Sequence, residues 1–149
     1  MCMDYYCTAK FTDLQVHVQS RLLYNCCKAY PERVNLDWLE ANPGRLFHTD
    51  TMLEDRRLML DNKSCTSCHH GCYKYEEQGL PSKRQQHINS TRITDPQSPL
   101  TDLVISLSTD CNMTCMYCNP DWSSSWQRDI IKNGEYRLDG VPVIQNDNW

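Results

Sequence analysis

The stretch "LTDLVISLSTDCNMTCMYC", residues 100–118, joins an apolar run to three closely spaced cysteines. Val104 and Ile105 lie at the centre of the run, and β-branched residues there predict a short strand. Thiolates bind soft metals and iron–sulfur clusters, and a cubane cluster takes one thiolate for each of its four irons. Three thiols from one loop leave the fourth iron open to a small molecule. The three cysteines are Cys111, Cys115 and Cys118.

This cysteine spacing is hard to obtain by chance. Cysteine accounts for 10 of the 149 residues. At that frequency a C-x3-C-x2-C spacing is expected about 0.04 times in a random chain, whereas a lone C-x2-C is expected about 0.7 times. The N-terminal residues show neither the basic region nor the apolar segment of a secretory signal. The cysteines therefore indicate metal ligation in a reducing cytoplasm rather than a disulfide framework.

Net charge and hydropathy argue against two classes of partner, membranes and nucleic acids. The chain has a net charge of −4 and a pI of about 5.7, and it contains no apolar run long enough to span a bilayer. An acidic chain of this kind lacks the broad basic surface that nucleic-acid binding requires. We therefore expect neither a membrane segment nor a nucleic-acid partner.

The motif "CNMTCMYC" resembles the C-x3-C-x-aromatic-C signature of the radical S-adenosylmethionine enzymes. Tyr117 stands where that family places an aromatic residue close to the adenine, and the preceding strand also matches the family. The resemblance implies that the three-cysteine loop holds a 4Fe–4S cluster whose open iron binds S-adenosylmethionine. It further implies reductive cleavage to a 5′-deoxyadenosyl radical that abstracts hydrogen, with electrons from a reductant such as a flavodoxin or ferredoxin.

The N-terminal part carries a second group of cysteines. The order "YYC", "NCC", "CTSC" and "YEEQGLPSKRQ" resembles the twitch-type auxiliary domain, a shortened relative of the SPASM domain found beside some radical S-adenosylmethionine cores. That resemblance implies a second, closed 4Fe–4S cluster and favours a peptide or protein substrate. Within the Cys26–Cys27 pair, Cys27 is the alternative ligand to Cys26. The implied ligands are Cys7, Cys26, Cys65 and Cys68.

A zinc site is the alternative for the N-terminal cysteines. Cys65, Cys68 and Cys72 could bind one zinc ion together with His69 or His70, since thiolate and imidazole are the ligands of structural zinc sites. In that case the protein would be a non-enzymatic zinc-binding interaction module. In the iron–sulfur interpretation, by contrast, Cys72 is a spare thiol.

The resemblance predicts three segments. We expect an α+β auxiliary cluster-binding module over residues 1–92, a linker over 93–101 and the start of an α/β partial (β/α)6 barrel over 102–149. Thirty-one residues follow Cys118, too few for the six strand–helix units of such a barrel. We therefore expect the chain to be the N-terminal part of a longer protein, or a split or decayed gene product. We expect the strand near residue 104 to be poorly ordered because it lacks parallel neighbours.

Local patterns predict the individual elements. Alternating residues on both sides of Gln19–Ser20 predict a β-hairpin, and the apolar spacing of 51–60 predicts a helix that begins with a Thr51–Glu54 capping box. We also expect a helix that begins after the Cys65–Cys68 pair and stops at Gly79, and a serine-capped helix in 121–132. Asp139–Gly140 predicts a tight turn.

Overall fold

The computed structural model describes residues 4–87, 91–116, 118, 120 and 122–134. Its residues group into two compact units, Met1–Leu107 and Ser108–Trp149. The predicted cofactor-binding residue Tyr117 and the predicted Asp139–Gly140 turn lie outside the described residues. Each unit contains one of the two cysteine groups, so each is described separately below.

A four-stranded mixed sheet forms the framework of the first unit. Its strands lie in the order β3-β2-β1-β4. The strands β1 and β2 form the predicted hairpin, with Gln15 opposite Tyr24. Arg21 supplies the left-handed residue of the turn, with φ of 57°, so this hairpin needs no glycine. The strands are β1 (Asp13–His17), β2 (Leu22–Tyr24), β3 (Glu32–Arg33) and β4 (Asp102–Ser106).

The strand β4 confirms one prediction and corrects another. A strand occurs where the sequence predicts it, centred on Val104 and Ile105. The expectation that it lacks a parallel neighbour is wrong, because β4 pairs in parallel with β1, with Val16 opposite Ile105. The amide of Val18 extends this ladder by donating to the carbonyl of Ser106 at 2.9 Å. β4 therefore belongs to the sheet of the first unit.

The side chains of β4 are exposed on both faces of the sheet. Leu103, Val104 and Ile105 are each about half exposed, at 51%, 53% and 52%. Consecutive apolar residues are typical of a strand in a parallel sheet that is covered on both sides. Among the described residues, β4 lies at the edge of the sheet, and β1 is its hydrogen-bonded neighbour.

Short helices surround the sheet. The longest helix of the first unit, α3, confirms the predicted helix but begins earlier than expected. Its N-cap is Thr49 rather than Thr51, and the Thr49 hydroxyl accepts from the amide of Met52 at 3.2 Å. The helices are α1 (Ala9–Thr12), α2 (Leu36–Ala41), α3 (Asp50–Leu60), α4 (Thr66–Cys68) and α5 (Lys74–Glu77), with 3-10 turns at Leu46–His48 and Arg84–His87.

The predicted helix after the Cys65–Cys68 pair is interrupted. A π-turn, His69–Tyr73, separates α4 from α5. The chain stops being helical near the predicted point, because Gln78 is the C-cap and Gly79 has φ of +73°.

The buried side chains of the first unit form two clusters. One cluster fills the space under the hairpin and is formed by Leu14, Leu23, Phe47 and Met52. The other is built from aromatic residues and cysteines, and Phe11 and Met59 are fully buried in it. Four thiols therefore lie within or against one apolar core. They are Cys7, Cys26, Cys65 and Cys68.

The second unit consists, in its described part, of the three-cysteine loop and a helix. The helix α6 (Ser124–Asn133) begins at the N-cap Ser123, whose hydroxyl accepts from the amide of Trp126. This confirms the predicted serine cap. Gly134, with φ of 85°, ends the helix. Over the described ranges of both units, no helix is long and apolar enough to cross a bilayer.

Candidate functional site

A cavity lined by thiols lies in the first unit, with a volume of about 290 Å³. Its thiols come from three separate parts of the sequence: the segment before α1, the turn after β2, and the α4–π-turn segment. Four of its other lining side chains are cationic, namely Lys10, Lys28, Lys83 and Arg84. The thiols that line it are Cys7, Cys26, Cys27, Cys68 and Cys72.

Arg84 positions the segment that carries Cys7. Its guanidinium is almost fully buried and donates to the carbonyl of Tyr6 at 2.9 Å and to the carbonyl of Asp4. The same group forms a buried ion pair with the carboxylate of Glu76, which also accepts from Arg84 Nε at 3.0 Å. The chain on both sides of Tyr5 is therefore tied to α5, and Cys7 follows Tyr6 directly.

The turn after β2 packs against the α4–π-turn segment. The amide of Tyr30 donates to the carbonyl of Ser67 at 2.8 Å. A Cβ at Gly71 would lie 2.6 Å from the carbonyl oxygen of Lys28, so the two backbones approach more closely than any other residue allows. These two contacts bring Cys26 and Cys68 to the same cavity. The amide of Lys28 also donates to Cys26 Sγ at 3.4 Å.

Cys65 and Cys72 differ in their relation to the cavity. Cys65 is buried in the same core as Cys68, but it is not among the residues that line the cavity. Its Sγ lies 3.6 Å from the hydroxyl of Tyr73 and 3.6 Å from that of Ser67. Cys72, interpreted from the sequence as a spare thiol, is among the residues that line the cavity.

Burial and neighbouring groups shift the pKa values of these thiols in opposite directions. Burial, together with the proximity of Cys26, raises the pKa of Cys7 to about 11. A hydrogen bond shared with Cys68 lowers the pKa of Cys65 to about 6, and the same hydrogen bond and burial raise the pKa of Cys68. Because metals bind thiolates, a metal entering this cavity must displace protons from buried thiols.

The two histidines of the zinc alternative lie outside the buried thiol group. His69 and His70 are exposed, and the His70 ring packs edge-on against Tyr30 with centroids 5.0 Å apart. Cys65 and Cys68, in contrast, are buried. Within the described residues no three Cys, His, Asp or Glu side chains are grouped closely enough to hold a single metal ion. The described cysteines form no disulfide.

In the second unit, hydrogen bonds attach the three-cysteine loop to the first turn of α6. The amide of Cys111 donates to the hydroxyl of Ser124 at 3.0 Å, and the hydroxyl of Ser125 donates to the carbonyl of Cys111. The indole N–H of Trp126 donates to the carbonyl of Cys115 at 3.0 Å. These contacts fix the backbone of the loop from one side of the helix.

The loop itself is compact and its thiols are partly exposed. The amide of Cys118 donates to the carbonyl of Cys115 at 3.0 Å, which closes a turn. The amide of Met113 donates to Cys111 Sγ at 3.4 Å. All three thiol residues have intermediate exposure, in contrast to the buried thiols of the first unit.

Several residues of both sites were not singled out from the sequence. The run "SSSW", residues 123–126, gave a prediction of a helix cap alone, although four consecutive residues that can hydrogen-bond beside a cysteine loop indicate an anchor for that loop. Gly71 was not singled out, because the neighbouring His69–His70 pair suggested metal ligands instead. Lys10 and Arg84 gave no signal, because a single cation in sequence does not reveal that it is buried.

Comparison with family models, with curated proteins and with solved structures finds no match to this chain. The candidate sites therefore rest on the residues and contacts described above.

Proposed function

We propose that the protein is a radical S-adenosylmethionine iron–sulfur protein that modifies a peptide or protein in the cytoplasm. The observation that carries the proposal is the three-cysteine loop. Cys111, Cys115 and Cys118 follow the strand β4 at the family's spacing. Hydrogen bonds from the first turn of α6 hold the carbonyls of Cys111 and Cys115.

The donor set of the loop fits a cluster with one open iron. Three thiols occur within eight consecutive residues. Their partial exposure leaves room for a small molecule beside the ligands. Amide donors such as Met113 N–H stabilise a thiolate at Cys111, since hydrogen bonds to the charged form favour it. In the proposal Tyr117 lies against the adenine.

The cavity of the first unit fits a closed, negatively charged cluster. It offers more than four thiols and four cationic side chains in a volume of about 290 Å³. Buried Asn25, which precedes Cys26 in the sequence, has an amide nitrogen with no hydrogen-bond partner among the described residues, so this donor is free to bond to a group bound nearby. Because this site has enough thiols for every iron, we assign it electron transfer or a structural role.

The bound cluster and S-adenosylmethionine together supply one-electron cleavage of a carbon–sulfur bond and hydrogen abstraction from a substrate. The residues of this chain hold the thiolates, and the α6 contacts keep the loop in one conformation. In the proposal β4 is the first strand of the partial (β/α)6 barrel, and its exposed apolar faces support further packing there. The implied partners are a peptide substrate and a flavodoxin or ferredoxin.

The test is anaerobic reconstitution with iron and sulfide, followed by iron, sulfide and zinc analysis. We expect iron and labile sulfide bound at both cysteine groups, and 5′-deoxyadenosine formed from S-adenosylmethionine under reduction. The matched control is Cys115→Ala, which should abolish the product while the cluster of the first unit persists. Stoichiometric zinc without labile sulfide contradicts the proposal and supports the zinc-binding interaction module.

A further inference from the structure

Lys10 places a positive charge inside the core of the first unit. It is 1% exposed, although lysine is among the residues least often buried. Its ammonium lies 2.7 Å from a carboxylate oxygen of Asp55 and 2.6 Å from the hydroxyl of Ser67. The side-chain oxygen of Asn25 is a weaker partner at 3.4 Å. The ammonium is therefore held by three groups, one from α3, one from α4 and one from the turn after β2.

Ser67 connects this ammonium to the thiols. Its hydroxyl donates to Asp55 and accepts from Lys10, and its oxygen lies 3.6 Å from Cys65 Sγ. The Sγ of Cys68 is 4.0 Å from the same oxygen. Lys10 also lines the thiol cavity itself. A buried cation therefore lies one hydroxyl group away from Cys65 and Cys68.

The electrostatics of Lys10 agree with this placement. Burial alone lowers the pKa of a lysine, yet the net pKa of Lys10 is raised, because Cys68, Asp55 and Cys65 outweigh the burial. A buried ion pair contributes little to stability compared with well-packed apolar residues. Its location beside thiols points to a role for the charge beyond folding.

We propose that Lys10 is the fixed counter-charge of a thiolate-ligated metal group in this cavity, with Asp55 and Ser67 holding its ammonium in place. The inference rests on the part of the proposed function that places such a group here. A fixed cation in a low-dielectric site stabilises the more negative state of its neighbour. Lys10 should therefore strengthen thiolate ligation and favour the reduced form of the bound group.

The experiment compares neutral variants of the two members of the ion pair. Lys10→Met removes the cation and keeps the length of the side chain. We expect it to weaken Co²⁺ binding to the metal-free protein at least tenfold, measured by thiolate-to-cobalt charge-transfer absorption. Asp55→Asn removes the opposing charge, and we expect equal or tighter binding. The control Lys83→Met changes an exposed cation of the same cavity, and we expect less than a threefold effect, because solvent screens it.

The iron-loaded protein gives a second measurement that does not depend on enzymatic activity. We expect Lys10→Met to lower the reduction midpoint potential of the first-unit cluster by at least about 59 mV. For one electron this corresponds to a tenfold change in the equilibrium constant. Asp55→Asn should shift it in the opposite direction, which keeps the inference testable where Lys10→Met does not fold.

The two arms separate this inference from the proposed function. Cobalt binding with the expected order of affinities, but no iron–sulfur cluster, supports the role of Lys10 and refutes the proposed function. Affinities and potentials that are equal in all three variants overturn the role of Lys10. A first-unit cavity that takes up no cobalt overturns it as well.

Discussion

Replacing Arg84 with methionine removes the cation that ties the Cys7 segment to α5. Arg84 is 3% exposed, and its ion pair with Glu76 is buried on both sides. Burial alone would lower the pKa of Arg84, but the hydrogen bond and charge of Glu76 raise it overall, so the guanidinium stays charged. The loss also leaves the carbonyls of Asp4 and Tyr6 without this donor.

The expected cost follows from the partners that are left behind. Removing one member of a buried ion pair costs about 3–5 kcal/mol, because the remaining charge stays buried without compensation. We therefore expect Arg84→Met to lower the free energy of unfolding by about 3–5 kcal/mol. Such a loss is a large fraction of the stability of a small domain.

The assay is urea unfolding of the metal-free protein, followed by circular dichroism at constant pH. The double variant Arg84→Met/Glu76→Leu should lose less than the two single variants together, by about 1–3 kcal/mol, because the second change removes the uncompensated charge. Strictly additive effects, or a loss below about 1 kcal/mol for Arg84→Met, would refute the reasoning.

Three further predictions address the loop, the cavity and the pH dependence. Ser125→Ala should lower the iron retained by the three-cysteine loop, because it removes the hydrogen bond to the Cys111 carbonyl, worth about 0.5–1.5 kcal/mol, whereas Ser125→Thr should retain it; equal iron in both contradicts the anchoring role. If Cys72 is a ligand in the cavity that it lines, Cys72→Ala should reduce the iron of the first unit more than Cys27→Ala does, since Cys72 is buried and Cys27 is exposed; the reverse order contradicts a ligand role for Cys72. Burial and the guanidinium of Arg56 lower the pKa of His48, so its contribution to stability is present above its ordinary value of 6.5 and is lost as the pH falls through the folded-state pKa. Urea unfolding of His48→Gln should show a flatter decline on acidification, and an unchanged decline counts against this assignment.

The local elements were predictable because their signals are local. The hairpin on both sides of Gln19–Ser20 and the serine-capped helix α6 follow from alternation and capping chemistry within about ten residues. The start of α3 was misplaced because its N-cap depends on a distant contact. The hydroxyl of Thr49 donates to the carboxylate of Glu32 at 2.6 Å, which selects Thr49 over Thr51.

Long-range packing was not predictable from the sequence. β4 pairs with β1 across more than eighty residues of chain, and no turn signal connects them. The N-terminal thiols, which lie far apart in the sequence, reach one cavity through the Gly71–Lys28 contact and the Tyr30–Ser67 hydrogen bond. Cys72 lies in the π-turn and lines the same cavity, and sequence spacing does not predict an interruption of the helix there.

The most direct measurement of the central claim is electron paramagnetic resonance of the reduced, iron-loaded protein with and without S-adenosylmethionine. Three ligands in the loop leave one iron open, whereas the first-unit cavity has thiols for every iron. We therefore expect the spectrum of the loop cluster alone to change on addition of S-adenosylmethionine. Cys115→Ala should abolish the change, and Cys68→Ala should preserve it while lowering total iron. A change that survives Cys115→Ala and disappears in Cys68→Ala would contradict the assignment of the two cysteine groups.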